Sequence, residues 1–126
     1  MTLVLDAGAL IALERGDRTM WGRLKLALNS GQVPISHGGV IGQVWRGRGP
    51  REALLSRALA AVEVRALDGS LGRKAGELLS LARKRDVIDA AVVLCAVDGD
   101  LIVTSDPEDI ETLARAARLS VDLIVP

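Results

Sequence analysis

The chain has 126 residues, a length that suits one compact domain covering 1–126 rather than two. Its hydrophobic fraction is 49%, supplied by Ala, Leu, Val and Ile, and its only aromatics are Trp21 and Trp45, which excludes a ring-stacking platform for single-stranded bases. Sixteen basic and sixteen acidic residues cancel, so avid and indiscriminate binding to polyanions is excluded, although locally clustered basic residues can still hold one.

Leu3-Val4-Leu5 is a short apolar run ending in Asp6, the pattern of a strand buried on both faces. A helix is expected from Ala7 to about Glu14, interrupted by Gly16-Asp17, and a second from about Arg18 to Asn29, ended by Ser30-Gly31. Gln32 to Ile35 reads as the second strand. Helices follow at about Gly38 to Trp45 and Arg51 to Ala61, separated by Gly47-Arg48-Gly49-Pro50. Val62 to Leu67 alternates apolar and charged residues as a third strand. Asp68 is a good N-cap for a helix striped with Leu71, Ala75, Leu78, Leu79 and Ala82.

Asp86 is expected to cap an apolar helix from Val87 to about Val97. Leu101-Ile102-Val103 is the fourth strand. Pro107 suits the first turn of a helix reaching about Arg118, and Val121 to Val125 is the last strand. Strands alternating with helices imply an α/β chain with a parallel sheet covered on both faces. Ligands of such sheets bind beyond the C-terminal strand ends, where Asp6 and Asp106 fall.

Asp89 lies three residues after Asp86, in a first helical turn that can present it to the same edge. Each aspartate has a plainer explanation as a helix cap or dipole partner, and one carboxylate can serve both ends. Converging carboxylates suit Mg²⁺ or Mn²⁺, which favour oxygen ligands and complete their shell with water and phosphate. Cys95 is the only cysteine and His37 the only histidine. An internal disulfide and a two-histidine acid–base pair are therefore both impossible, and His37 reads as a structural or loop residue. Met1 to Asp6 offers no basic leader and no apolar run approaches a membrane span, so a cytoplasmic protein with no membrane contact is expected.

Four segments resemble a known family. Leu5-Asp6-Ala7-Gly8-Ala9-Leu10-Ile11-Ala12-Leu13 is similar to the opening strand and helix of PIN-domain ribonucleases, the VapC toxins of type II toxin–antitoxin systems in particular. Val33-Pro34 through Val44-Trp45-Arg46-Gly47 resembles the second motif, Asp86-Val87-Ile88-Asp89-Ala90 the third, and Val103-Thr104-Ser105-Asp106 the fourth. The resemblance implies a PIN-like three-layer α/β/α sandwich around a parallel sheet. It implies an Mg²⁺- or Mn²⁺-dependent endoribonuclease that cleaves RNA with a metal-activated water. It also implies a VapB-like antitoxin partner and a homodimer.

Carried over by position, Asp6, Asp89 and Asp106 are the expected catalytic and metal-holding acids, with Thr104 orienting them. Asp109 is at most auxiliary, and reads first as a solvated residue early in its helix. The departure is Gln43, which stands where the family usually has Glu. It keeps a carbonyl acceptor but brings no charge. Glu14 could supply a substitute charge but reads as a surface residue. Arg83, Lys84 and Arg85 beside Asp86, and Arg46 with Arg48 and Arg51 around the Gly-rich turn, are the expected phosphate contacts. The alternative is a catalytically impaired PIN-like module acting through partner binding. A phosphoacceptor domain using Asp6 is disfavoured because Val103-Thr104-Ser105 supplies no lysine. Trp21 and Leu24 read as core before interface, and Trp45 fits either.

Overall fold

The computed structural model describes residues 1–126. Five strands form one parallel sheet in the order β3-β2-β1-β4-β5: β1 Leu3–Leu5, β2 Ile35–His37, β3 Glu63–Arg65, β4 Leu101–Val103 and β5 Asp122–Ile124. Seven helices connect them: α1 Ala7–Glu14, α2 Arg18–Asn29, α3 Gly38–Val44, α4 Glu52–Leu59, α5 Gly69–Ala82, α6 Val87–Leu94 and α7 Pro107–Ala116. Helices α2, α3 and α4 pack on α1, while α5, α6 and α7 pack on one another, giving a helical layer on each side of the sheet. This is the α/β/α sandwich expected from the alternation of elements.

The unbroken apolar run Leu3–Leu5 becomes the central strand, with all three residues buried. Val4 and Leu5 are wholly enclosed, as strands covered on both faces must be. The alternating segment at Glu63–Arg65 becomes an exposed edge strand instead. Helix α6 is apolar on nearly every face because it is wedged between the sheet and α5 and α7. Gly16 adopts φ +75°, a left-handed conformation that lets α1 turn sharply into α2, which Asp17 then caps through the Met20 N–H.

The boundaries of β1, α1, α2 and β4 match the sequence reading, but the second strand does not. Gln32–Ile35 was expected, yet the ladder begins at Ile35. The Gln32 N–H closes the end of α2 on the Ala27 carbonyl at 2.9 Å, and Pro34 has no N–H to donate. Pro34 contributes only its carbonyl, to the Glu63 N–H at 2.8 Å. The shift carries His37 into the strand end and into full burial, so it is structural and not a loop residue. The Gly39 N–H donates to His37 Nδ1 at 3.1 Å, which leaves Nε2–H to donate to the Ile88 carbonyl at 2.9 Å. One imidazole thus ties β2 to the first turn of α6.

Helix α6 also ends at Leu94, short of Val97. Buried Asp100 stops it by accepting the Val97 N–H at one oxygen and the Thr2 N–H at the other, both at 2.9 Å. Helix α7 stops at Ala116, and Arg118 then takes a left-handed turn with φ +56°.

Candidate metal centre

The C-terminal edge of the sheet gathers the acids. Asp6 follows β1 directly and is only 6% exposed. Its carboxylate has two fixed partners: Oδ1 accepts the Ala7 N–H at 2.7 Å, capping α1, and Oδ2 accepts the Thr104 hydroxyl at 2.8 Å. Capping and site-building are therefore compatible in one side chain. Thr104, wholly buried, is anchored by its N–H to the Ile124 carbonyl on β5. Its Oγ1 also accepts the Asp106 N–H at 3.0 Å. A single hydroxyl thereby links the acid after β1 to the acid after β4.

Asp106 occupies the N-cap position of α7, but its side chain makes no capping hydrogen bond. The carboxylate is exposed and free, so the plainer reading of Asp106 as a cap does not describe it. Asp86 does cap α6, accepting the Asp89 N–H at 3.0 Å. That cap fixes the turn from which Asp89 projects inward, 9% exposed.

Oxygens of Asp89, Asp106 and Asp109 all lie within 4.8 Å of one another. Asp109 was read as a solvated residue. It joins the cluster because it stands three residues after Asp106 on α7, on the same helical face. That spacing was the signal available in the sequence. Asp6 is outside this tight trio, its oxygens turned to Ala7 and Thr104, but its charge reaches Asp89. The Asp89 carboxyl is pushed up to about 7, first by burial and then by the negative charges of Asp86, Asp6, Asp106 and Asp109. Negative charge is therefore concentrated beyond what the surrounding protein neutralises, which is the electrostatic condition for holding a hard dication.

One cation of the chain faces the cluster. Lys84 Nζ lies 2.9 Å from Asp109, and that hydrogen bond, with the adjoining charges, raises the lysine pKa. The ammonium sits at the rim of the acids rather than in open solvent. Arg83 takes the left-handed position that ends α5, and both Arg83 and Arg85 are exposed beside it. Arg46 is placed differently. Its guanidinium folds back on the carbonyls of Gly42, Gln43 and Trp45, closing the end of α3. Gln43 is exposed on that last turn of α3, its side chain unbonded.

Glu14 ends α1, whereas Asp6 precedes it. The eight-position step from Asp6 puts Glu14 about 12 Å further along the helix axis. It lines a separate cleft and does not replace the missing charge at Gln43. Close approach at the acidic edge also depends on Gly8, where a Cβ would run into the Ser105 side chain. The first turn of α1 can sit against the 104–106 loop only because that Cβ is absent.

This architecture, a five-stranded parallel sheet between two helical layers, is consistent with a PIN-like sandwich. The chain aligns with one in the crystal structure of VapBC2 from Rickettsia felis bound to a DNA fragment from their promoter. The TM-score is 0.71, and the match covers 98% of this chain and 99% of that one at 13% sequence identity. No family model and no curated protein matches the sequence. At that identity the likeness establishes the fold, and chemistry has to be argued from the site itself.

Proposed function

We propose that the chain is a divalent-metal-dependent endoribonuclease of the VapC kind, acting in the cytoplasm and held in check by a VapB-like antitoxin. The observation that carries this reading is the meeting of Asp89, Asp106 and Asp109 within 4.8 Å beside Asp6, at the sheet edge where such folds bind ligands. Asp89 and Asp106 are the direct ligands for Mg²⁺ or Mn²⁺, with Asp6 held alongside by Thr104 and Asp109 as a further acid. When bound, the ion supplies Lewis-acid activation of a phosphate oxygen and of an attacking water.

The chain's own residues do the rest. The Thr104 hydroxyl fixes the Asp6 carboxylate and the Asp106 backbone, so the acids keep their spacing when phosphate arrives. Arg83 and Arg85, exposed on either side of Lys84, hold the RNA backbone in this reading. Lys84 can exchange Asp109 for a phosphate oxygen, because one exposed ion pair contributes little to stability. A homodimer accords with the same reading.

The direct test is RNA cleavage by the purified chain with Mg²⁺ or Mn²⁺, with EDTA, and with Asp6→Asn. Cleavage is expected only with metal, and Asp6→Asn should reduce it by about 10–100-fold or more, as loss of a supporting partner does. Equal activity in the two proteins would remove the assignment.

A second reading, an impaired module acting through partner binding, is favoured by Gln43, uncharged and exposed at the family's acidic position. Gln43→Glu separates the two. If the site works without that charge, Gln43→Glu should tighten Mn²⁺ binding by about tenfold or less and change cleavage modestly. Cleavage appearing only in Gln43→Glu would establish the impaired module.

A further inference from the structure

A second concave site lies away from the acidic edge, between the end of α1 and the Gly47–Arg51 turn. Its volume is about 250 Å³. That is below the roughly 300–1,000 Å³ of pockets for drug-sized ligands, and suits one small flat molecule. Trp45, Arg48, Arg51 and Glu14 are among the residues that line this cleft.

Glu14 is half buried, yet it takes part in none of the three ion pairs of the chain, although arginines line the same cleft. A carboxylate held in a cleft without a donor is an acceptor open to a ligand. Arg46 is committed to the carbonyls that close α3, which stiffens the wall carrying Trp45. Arg48 and Arg51 have no such bonds, and their exposed guanidinium groups match a phosphate. Two exposed arginines alone would be a solvated turn. An aromatic ring and an unpaired, half-buried acceptor in the same cleft add what a base needs.

We propose that this cleft is a nucleotide subsite that reads guanine in single-stranded RNA. It rests on the ribonuclease reading, and places the guanine a few nucleotides from the scissile phosphate. The base stacks on Trp45; one ring is too few for a platform but enough for one base. Glu14 accepts from guanine N1–H and N2–H, two adjacent donors that no other standard base presents on its Watson–Crick edge. Uracil sets carbonyls on both sides of its single N–H. Adenine and cytosine set a lone pair beside their amino group. Arg48 and Arg51 hold the phosphate whatever the base.

The test is titration of the metal-free full-length chain with GMP, AMP, CMP and UMP, following the Trp45 indole N–H by NMR. GMP should bind about tenfold tighter than the other three, the discrimination of one bidentate contact. Glu14→Gln should abolish that preference while leaving the folded spectrum intact. The double variant Arg48→Ala, Arg51→Ala should weaken all four nucleotides alike. Equal affinity for the four, an unmoved Trp45 resonance, or a guanine preference surviving Glu14→Gln would each overturn the subsite. RNA cleavage measured in parallel keeps the two ideas separate. Cleavage without nucleotide preference rejects only the subsite, and guanine-selective binding by a chain that cleaves no RNA supports the subsite while rejecting the nuclease.

Discussion

In the proposed nuclease, replacing Asp89 or Asp106 by Asn is expected to lower RNA cleavage by about 10²–10³-fold or more, since each substitution would remove an anionic ligand from a centre whose ion would supply several kcal/mol of charge stabilisation. The two variants should fail in different ways. Asp106 is exposed and its side chain makes no hydrogen bond within the fold, so Asp106→Asn should leave the melting temperature nearly unchanged. Asp89 is buried among four other carboxylates, so Asp89→Asn should melt higher than the parent in EDTA at neutral pH. Asp109→Asn tests the acid that joined the cluster unexpectedly. It also frees Lys84, so a milder loss of cleavage with weaker Mn²⁺ binding is expected. Single-turnover cleavage and thermal melts of the same samples check all three. Full activity in Asp106→Asn would be incompatible with its place in the centre.

The metal-free chain is expected to lose stability as pH rises from about 4 to about 7, opposite to the usual carboxylate behaviour. The Asp89 carboxyl titrates near 3.8 in the unfolded chain and at about 7 in the fold. Between those values the folded form holds a proton that the unfolded form has released. The unfolding free energy therefore falls with increasing pH through that window, and the stabilisation present at low pH is gone above about 7. A contribution on the order of 1–2 kcal/mol, after allowing for solvent screening at this edge, corresponds to roughly 5 °C in melting temperature. The difference between parent and Asp89→Asn isolates this slope from the other titrating groups. In the proposed centre Mg²⁺ or Mn²⁺ would bind the ionised carboxylates, so added metal should raise the melting temperature most at pH 7–8 and little below pH 5. A melting temperature of the parent that tracks Asp89→Asn at every pH, with or without metal, would contradict this account.

Those two results depend on residues of unequal legibility. Asp6 and the run before it were plain in the sequence, because a short apolar segment ending in a charge has few readings once strands and helices alternate. Asp106 followed from the next such segment, Leu101–Val103, whereas Thr104 was assigned only through the family resemblance. Asp89 was accessible through Asp86, since a cap fixes which residues begin the helix. Asp109 was placed in solvent because first-turn acids are common on dipole grounds alone. Its real neighbour, Lys84, is 25 positions away and joins it only through the packing of α5 on α7. The strand at Ile35–His37 was misplaced because local apolar content was weighed ahead of the hydrogen bonds that Pro34 cannot make. His37 and Asp100 each pair a local hydrogen bond, with Gly39 and Val97, with a tertiary one that no local pattern reveals: Ile88 and Thr2 lie 51 and 98 positions away. The order of the strands was likewise beyond the pattern of elements, which fixes parallelism but not neighbours.

The single hydroxyl that joins Asp6 to Asp106 spans 98 positions between Thr104 and Asp6. Strand β1 takes its place beside β4, which is synthesised well after it. During synthesis, at about 5–20 residues per second, Asp6 emerges many seconds before the loop that holds its carboxylate. A partly made chain therefore carries the first acid without the others. The centre comes into being in one late event, when residues 101–106 leave the ribosome and enter the sheet. Whatever chemistry the assembled edge performs is thus withheld from the nascent chain by topology alone.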